Sequence, residues 1–250
     1  MELNEKITFW LKEYLNKNKL KCFVIGISGG VDSALTSTLC ALTGEKTIVV
    51  SLPIKQKNEH LLLANRHIDW LKNNFTNVES LEIDLTDVFE VFKNKFKDEN
   101  LLSLANSRSR IRMVSLYHIS SLNNGIVVGT GNKVEDFGVG FFTKYGDGGV
   151  DISPIADLFK SEVRAMSKKL GIIEDIIIAK PTDGLWDDDR TDEEQIGATY
   201  EELEWAMTTE EKETNMSSRQ LEIYAIFKKF NFQNLHKINP IPIFKKNENG

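Results

Sequence analysis

The sequence predicts an α/β fold, a Rossmann-like parallel sheet with helices on both faces. Three observations predict it. Short apolar, β-branched runs alternate with helical segments in a βαβαβα order. The first such run delivers the chain into a tight glycine turn that opens a helix. A long glycine-rich polar segment follows the fourth run, where α/β folds collect their ligands.

The elements follow in order. Leu3, Ile7, Trp10, Leu11, Tyr14 and Leu15 recur at helical spacing and predict an opening amphipathic helix. CFVIGI reads as a buried strand, and VDSALTSTLCALTG as a helix closed by Gly44. KTIVVSL is a second strand, NEHLLLANRHIDWLKNNF a helix, VESLEID a third strand and DVFEVFKNKF another helix. LLSLANSRSRIRMVSLYHISSLNN is a long helix stopping at Gly125, and IVVGT is a fourth strand. GNKVEDFGVGFFTKYGDGGVDISP is too long for a plain connector and reads as a functional loop. SEVRAMSKKLG is a helix; IIEDIIIAK fits a short helix or a strand. PTDGLWDDDRTDEEQIG is a loop entering a helix capped by Thr191, with Glu194 at capping-box spacing. SSRQLEIYAIFKKF is the last clear helix, and KKNENG a frayed tail.

Composition narrows the function classes. The chain has 250 residues, 41% hydrophobic and 27% charged, which suits one globular domain with a substantial core. No apolar run approaches the ~20 residues of a membrane span. The N-terminal stretch mixes charge into its apolar positions, unlike a secretory signal, so a cytoplasmic enzyme without membrane contact is expected. Cys22 and Cys40 have no metal-ligand spacing and read as buried thiols. A net charge of −6 and a pI near 5.4 argue against a nucleic-acid surface, because a long polyanion needs a broad basic footprint. An anionic ligand here must be small and met by a few convergent cations.

GISGGVDS, Gly26 to Ser33, is the motif that carries most chemistry. A strand, a glycine turn and a helix N-terminus present backbone N–H groups and a positive dipole end to an anion. Ser28 and Ser33 add hydroxyls, while Gly29 and Gly30 permit close approach of a phosphate. The lysine and spacing of a Walker A loop are missing, as is the GxGxxG of a dinucleotide fingerprint. Asp32 beside a phosphate site calls for a cation between them, with Mg²⁺ the obvious one.

SGGVDS in this setting resembles the pyrophosphate loop of the N-type ATP pyrophosphatases, which implies an adenine nucleotide alpha-hydrolase-like fold and cleavage of ATP between its α- and β-phosphates. ANSRSRIRM, GTGNKVEDFGVGFFTKYGDGGVDISPIADLFKSEVR, KPTDGLW, RTDEEQIGATYEEL and the late HK together resemble the ammonia-dependent NAD synthetase family over almost the whole chain. The resemblance implies ATP contacts along Gly26, Ile27, Ser28, Gly29, Gly30, Val31, Asp32 and Ser33, and at Thr130, Lys160 and Thr182. It implies Asp32 and Glu135 as Mg²⁺ ligands, and Arg110, Lys144, Asp151, His236 and Lys237 as the residues that hold deamido-NAD. Asp32, Lys160 and Asp147 are the catalytic candidates, Asp147 for capturing or deprotonating ammonium.

The implied reaction adenylates the nicotinate carboxylate of deamido-NAD, releases pyrophosphate, and lets ammonia displace AMP to give NAD. Neither cysteine sits in the context of an amidase nucleophile, so residues 1–250 are expected to be a single synthetase domain without a glutaminase, fed by free ammonia or a separate donor. A homodimer is implied by the resemblance alone. Two departures from the family pattern stand out. The stretch after Glu135, DFGVGFF, is one residue longer than the common LAVGYF form, and Asp187–Asp189 form an acidic run. The competing readings are a tRNA-thiolating or GMP-synthesising enzyme, and a non-catalytic nucleotide sensor of the same fold.

Overall fold

The structure, a computed structural model, describes residues 1–56, 58–96, 100–180, 191–209 and 216–246. Four parallel strands, β1 (Cys22–Gly26), β2 (Thr47–Ser51), β3 (Val78–Glu82) and β4 (Gly125–Val127), lie in the order β3-β2-β1-β4. The helices among the described residues are α1 (Leu3–Lys17), α2 (Val31–Leu42), α3 (Asn58–Asn74), α4 (Thr86–Lys93), α5 (Leu101–Leu122), α6 (Lys160–Lys169), α7 (Glu174–Ile178), α8 (Asp192–Ile196), α9 (Tyr200–Thr208) and α10 (Ser218–Ile238).

Alternation along the strands sorts the core into two layers, because successive side chains of a strand point to opposite faces. Phe23, Ile25 and Val49 join Leu11 and Leu15 of α1, Leu35 and Leu39 of α2, Leu71 of α3, Val163 of α6 and Ile176 of α7 on one face. Cys22, Val24, Ile48 and Val50 join Phe89 of α4 and Met113, Leu116 and Ile119 of α5 on the other. Both cysteines are buried and free. The sheet is therefore covered on both sides, as the alternating pattern predicts.

A third apolar cluster stands away from the sheet. It joins Val134 and Val139 to Ile196 of α8, Tyr200 and Leu203 of α9 and Ile223 of α10. The segment expected to be a glycine-rich loop supplies the first two residues as a π-helix, Lys133–Val139. The last helix also runs farther than its apolar pattern indicates, to Ile238, so that His236 and Lys237 are helical. IIEDIIIAK resolves as a short helix rather than a strand.

The strand order places the reversal of chain direction at β1 and β4. β1 leads outward through β2 to β3, and the chain then returns to pair β4 with the other edge of β1. A crevice opens at such a switch point beyond the C-terminal strand ends. The loop after β1 and the long segment after β4 border that crevice.

Candidate active site

The loop Gly26–Ser33 ties itself into shape with its own serines. Ser28 and Ser33 hydroxyl oxygens lie 3.1 Å apart, the Gly30 N–H donates to Ser28 Oγ at 3.2 Å, and Ser33 Oγ donates to the Gly30 carbonyl at 2.9 Å. Gly29 takes φ +91°, and a Cβ there would stand 2.7 Å from the His60 carbonyl oxygen. Glycine is thus required on two counts, conformation and space. α2 starts at Val31, so its free N–H groups face the crevice mouth.

Three distant segments converge beside this loop. Asp32 comes from the first turn of α2, Glu135 from the π-helix and Lys160 from the first position of α6. The Lys160 ammonium, only 2% exposed, donates to Asp32 Oδ2 at 2.5 Å and to Glu135 Oε1 at 2.8 Å. Asn132, fully buried, donates to Asp32 Oδ1 at 3.2 Å. Its own Oδ1 accepts from the Val134 and Glu135 N–H groups at 3.0 Å and so caps the π-helix. Tyr200 donates to Glu135 Oε1 at 2.5 Å and to Asp192 Oδ2 at 3.2 Å, and its ring lies 4.9 Å from the Lys160 nitrogen.

The charges follow this geometry. Burial pushes the Asp32 carboxyl above its ordinary range despite the attraction of Lys160. Burial acts the same way on Glu135, but Lys160, the Tyr200 hydroxyl and Asn132 outweigh it and hold Glu135 low. Burial would strip the Lys160 proton, yet the two carboxylates keep it raised and charged. Two acidic oxygens from different elements thus share one cation. A hard divalent ion with phosphate oxygens and waters in its remaining positions wants that same donor set. The residues therefore fit a Mg²⁺ site in which the lysine ammonium stands in for the ion.

A cleft of about 770 Å³ reaches the π-helix at Asp136 and Phe137, the residues that follow Glu135 in the chain. Arg110, Lys144 and Lys237 line it, as do the carboxylate of Asp136 and several aromatic side chains. Lys144 Nζ donates to the His236 carbonyl at 2.5 Å and Lys237 Nζ to the Phe142 carbonyl at 2.8 Å, so α10 is laced to the segment after the π-helix. Asn231 and Asn234 continue the lacing, donating to the carbonyls of Gly138 and Val139 at 2.7 and 2.9 Å. Arg110 Nε donates to the Lys144 carbonyl at 3.1 Å.

The structure distributes the remaining candidates as follows. Asp147 accepts from Ser109 Oγ at 2.6 Å and the Thr143 N–H at 3.1 Å, and its enclosure pushes its carboxyl up. Asp151 accepts from Tyr117 at 2.9 Å and from the Val127 N–H at 2.9 Å, which fastens it to β4. His236 offers its backbone carbonyl to Lys144, while its ring Nδ1 lies 3.1 Å from the Gln233 carbonyl. Thr130 follows β4 at the crevice. Thr182 and Asp187–Asp189 lie outside the described residues. Asn132, Asp136, Asp192 and Tyr200 belong to the site and escape the sequence reading. The capping-box pair Thr199 and Glu202 is a signal that could have found the helix carrying Tyr200.

The profile of the NAD synthase family matches residues 3–240. The chain is 36% identical over 228 residues to the NH(3)-dependent NAD(+) synthetase of Mesoplasma florum, covering 88% of this chain and 90% of that protein. Among solved structures, the NMN synthetase from Francisella tularensis superposes with a TM-score of 0.86 at 30% identity, covering 98% of this chain and 97% of the other. The NH3-dependent NAD synthetase from Campylobacter jejuni superposes at 0.80 with 28% identity, covering 98% and 100%.

Proposed function

Since the chain belongs to the NAD synthase family, we propose that its centre amidates the nicotinate carboxylate of deamido-NAD with ammonia, consuming ATP and releasing AMP and pyrophosphate. The chain is a ligase of the NH3-dependent NAD(+) synthetase kind. The observation that carries the site assignment is the convergence of Asp32, Glu135 and Lys160 on one point beside a lysine-free phosphate loop.

The chemistry needs an activated carboxylate, because oxide is not a leaving group and AMP is. The substrate carboxylate attacks the α-phosphorus of ATP, the bond to the β-phosphate oxygen breaks, and pyrophosphate departs. Gly26–Ser33 cradles the departing β,γ pair through its N–H groups and the α2 dipole. Lys160 holds positive charge where phosphate charge develops. Asp32 and Glu135 would hold Mg²⁺, which when bound neutralises phosphate charge. Ammonia then attacks the acyl carbon, AMP leaves, and Asp147 takes part in capturing ammonium or removing its proton. Arg110, Lys144, Asp151, His236 and Lys237 hold the nucleotide substrate, and Thr130 and Thr182 contact ATP. Most of the work is positioning and charge stabilisation.

We read residues 1–250 as one catalytic domain that takes its nitrogen as ammonia, like the NH3-dependent relatives it matches. Among the described residues no helix is long and apolar enough to cross a membrane. Two unpaired thiols suit a reducing compartment, and we place the enzyme in the cytoplasm. A homodimer completes the reading; Val114, 70% exposed at the cleft, offers a partner an apolar foothold.

One observation favours a second reading of the substrate. The F. tularensis structure is an NMN synthetase, and the same amidation on nicotinic acid mononucleotide would use the same centre. Purified enzyme with Mg–ATP and an ammonium salt, given each nicotinic acid nucleotide in turn, decides between them. Equimolar NAD, AMP and pyrophosphate, with a higher kcat/KM for the dinucleotide, supports the first reading. A higher kcat/KM for the mononucleotide supports the second.

A further inference from the structure

The helix that packs against the Gly26–Ser33 loop carries a buried histidine that the proposed chemistry does not use. His60, Ala64 and His67 recur along α3 at the spacing of one helix face. The first two stand against the glycine turn, since a Cβ on Gly29 would lie 2.7 Å from the His60 carbonyl oxygen and 3.1 Å from the Ala64 nitrogen. His67 is fully buried, and its ring stacks on that of Trp70 with centroids 5.7 Å apart. Its Nε2 lies 2.9 Å from Ser37 Oγ, in the second turn of α2.

The hydrogen bonds give this contact a direction. Ser37 Oγ spends its only proton on the carbonyls of Ser33 and Ala34, at 2.7 and 3.1 Å, so the His67 Nε2–H donates and Ser37 Oγ accepts. Ser33 in turn sends its own hydroxyl to the Gly30 carbonyl and stands 3.1 Å from Ser28 Oγ. A path thus runs from α3 through Ser37 and Ser33 into the glycine turn. Nδ1, the other ring nitrogen, has no hydrogen-bond partner among the described residues. A side chain that only fills the core gains nothing from a bare buried nitrogen, and leucine or phenylalanine would fill the space without one. The bond from Nε2 is what sets histidine apart at this position.

We infer that His67 is a positioning residue for phosphate binding: acting through Ser37, it fixes the first turns of α2 and with them the N–H groups that the Gly26–Ser33 loop presents. This rests on the reading of that loop as the seat of the ATP phosphates. α3 then braces the loop at two points, by its backbone at Gly29 and by His67 at Ser37. Donors already held in place bind an anion without first being ordered, so loosening one brace weakens the hold on phosphate. The cleft lined by Arg110, Lys144 and Lys237 is built from other elements and is left as it was.

Affinities of the whole protein for Mg–ATP and for deamido-NAD are measured by calorimetry for the wild type, His67→Leu, His67→Gln, Ser37→Ala and the double variant of His67→Leu with Ser37→Ala. His67→Leu and Ser37→Ala are each expected to weaken Mg–ATP by about five- to tenfold, the scale of one hydrogen bond. His67→Gln, whose amide can donate from the place of Nε2, stays within about twofold of the wild type. The double variant loses no more than either single one, because both substitutions break the same path. Deamido-NAD affinity holds within about twofold throughout. Unchanged Mg–ATP affinity in His67→Leu or Ser37→Ala overturns the inference, as does glutamine as poor as leucine. Losses that multiply in the double variant overturn it too, and so does equal weakening of both ligands, the mark of general damage. Should His67→Leu fail to fold, Ser37→Ala against His67→Gln carries the same decision, with a loss expected only in the first. A wild type that binds no Mg–ATP removes the reading of the loop itself, a result separate from any behaviour of the variants.

Discussion

Replacing Lys160 by methionine removes the cation that Asp32 and Glu135 share while keeping most of the side-chain volume. Lys160 is 2% exposed, so solvent does not screen its loss. Breaking a buried pair from one side costs about 3–5 kcal/mol, because an uncompensated charge remains. Here two remain. Their oxygens stand 2.5 and 2.8 Å from one nitrogen, which leaves them no more than about 5 Å apart and repelling by about 3 kcal/mol at an effective dielectric near 20. A loss of about 4 kcal/mol is expected, lowering the Tm by roughly 8–16 °C for a chain of this size. The rescue separates this account from simple core damage. Mg²⁺ at about 100 times its Kd should return about 2.7 kcal/mol to the variant, because the ion takes the place of the ammonium. Thermal unfolding of wild type and Lys160→Met, each with and without Mg²⁺, is the assay. A variant as stable as the wild type, or a Mg²⁺ response no larger in the variant, refutes the reasoning.

Tyr200→Phe deletes a buried donor to Glu135 and is expected to cost about 1.5–3 kcal/mol of stability and to raise the KM for Mg–ATP; steady-state kinetics with unchanged KM and kcat would remove Tyr200 from the site. Gly29→Ala forces a Cβ against the His60 carbonyl at φ +91° and should abolish ATP binding, measured by calorimetry, while the sheet stays folded by circular dichroism. His67 is fully buried with Nε2 2.9 Å from Ser37 Oγ, and burial lowers its pKa from 6.5 to about 4. Its folded pKa lies below the unfolded one, so stability is complete above pH 6.5 and falls by up to about 3 kcal/mol as the pH drops through 4. Urea titrations from pH 7 to 4 should show a shallower decline in His67→Gln, and parallel declines would contradict the assignment.

The reach of sequence reasoning divides along a physical line. The four strands and the helices that cover them are local patterns, and Phe23 and Ile25 against Cys22 and Val24 show the alternation acting as expected. The Gly26–Ser33 loop is equally local, a glycine turn between a strand and a helix. Asp32, Glu135 and Lys160 enter through the family resemblance, and the fold brings all three together. Tyr200, Asp192 and Asn132 gain their roles only where α8, α9 and the π-helix meet, and no spacing in the sequence reports that meeting. The π-helix carries no periodic signature over its seven residues and reads as a glycine-rich loop. Its carbonyls are met from α10 by Asn231 and Asn234, polar residues that interrupt the apolar pattern of that helix after Phe230.

The most direct test follows one oxygen atom. With a nicotinic acid nucleotide labelled with ¹⁸O in its carboxylate, Mg–ATP and ammonium, attack on the α-phosphorus transfers one labelled oxygen to AMP when ammonia displaces it. Mass spectrometry should find one ¹⁸O in AMP for each carboxamide formed and none in pyrophosphate. Label appearing in inorganic phosphate, or AMP free of label, would contradict adenylation of the carboxylate at this centre.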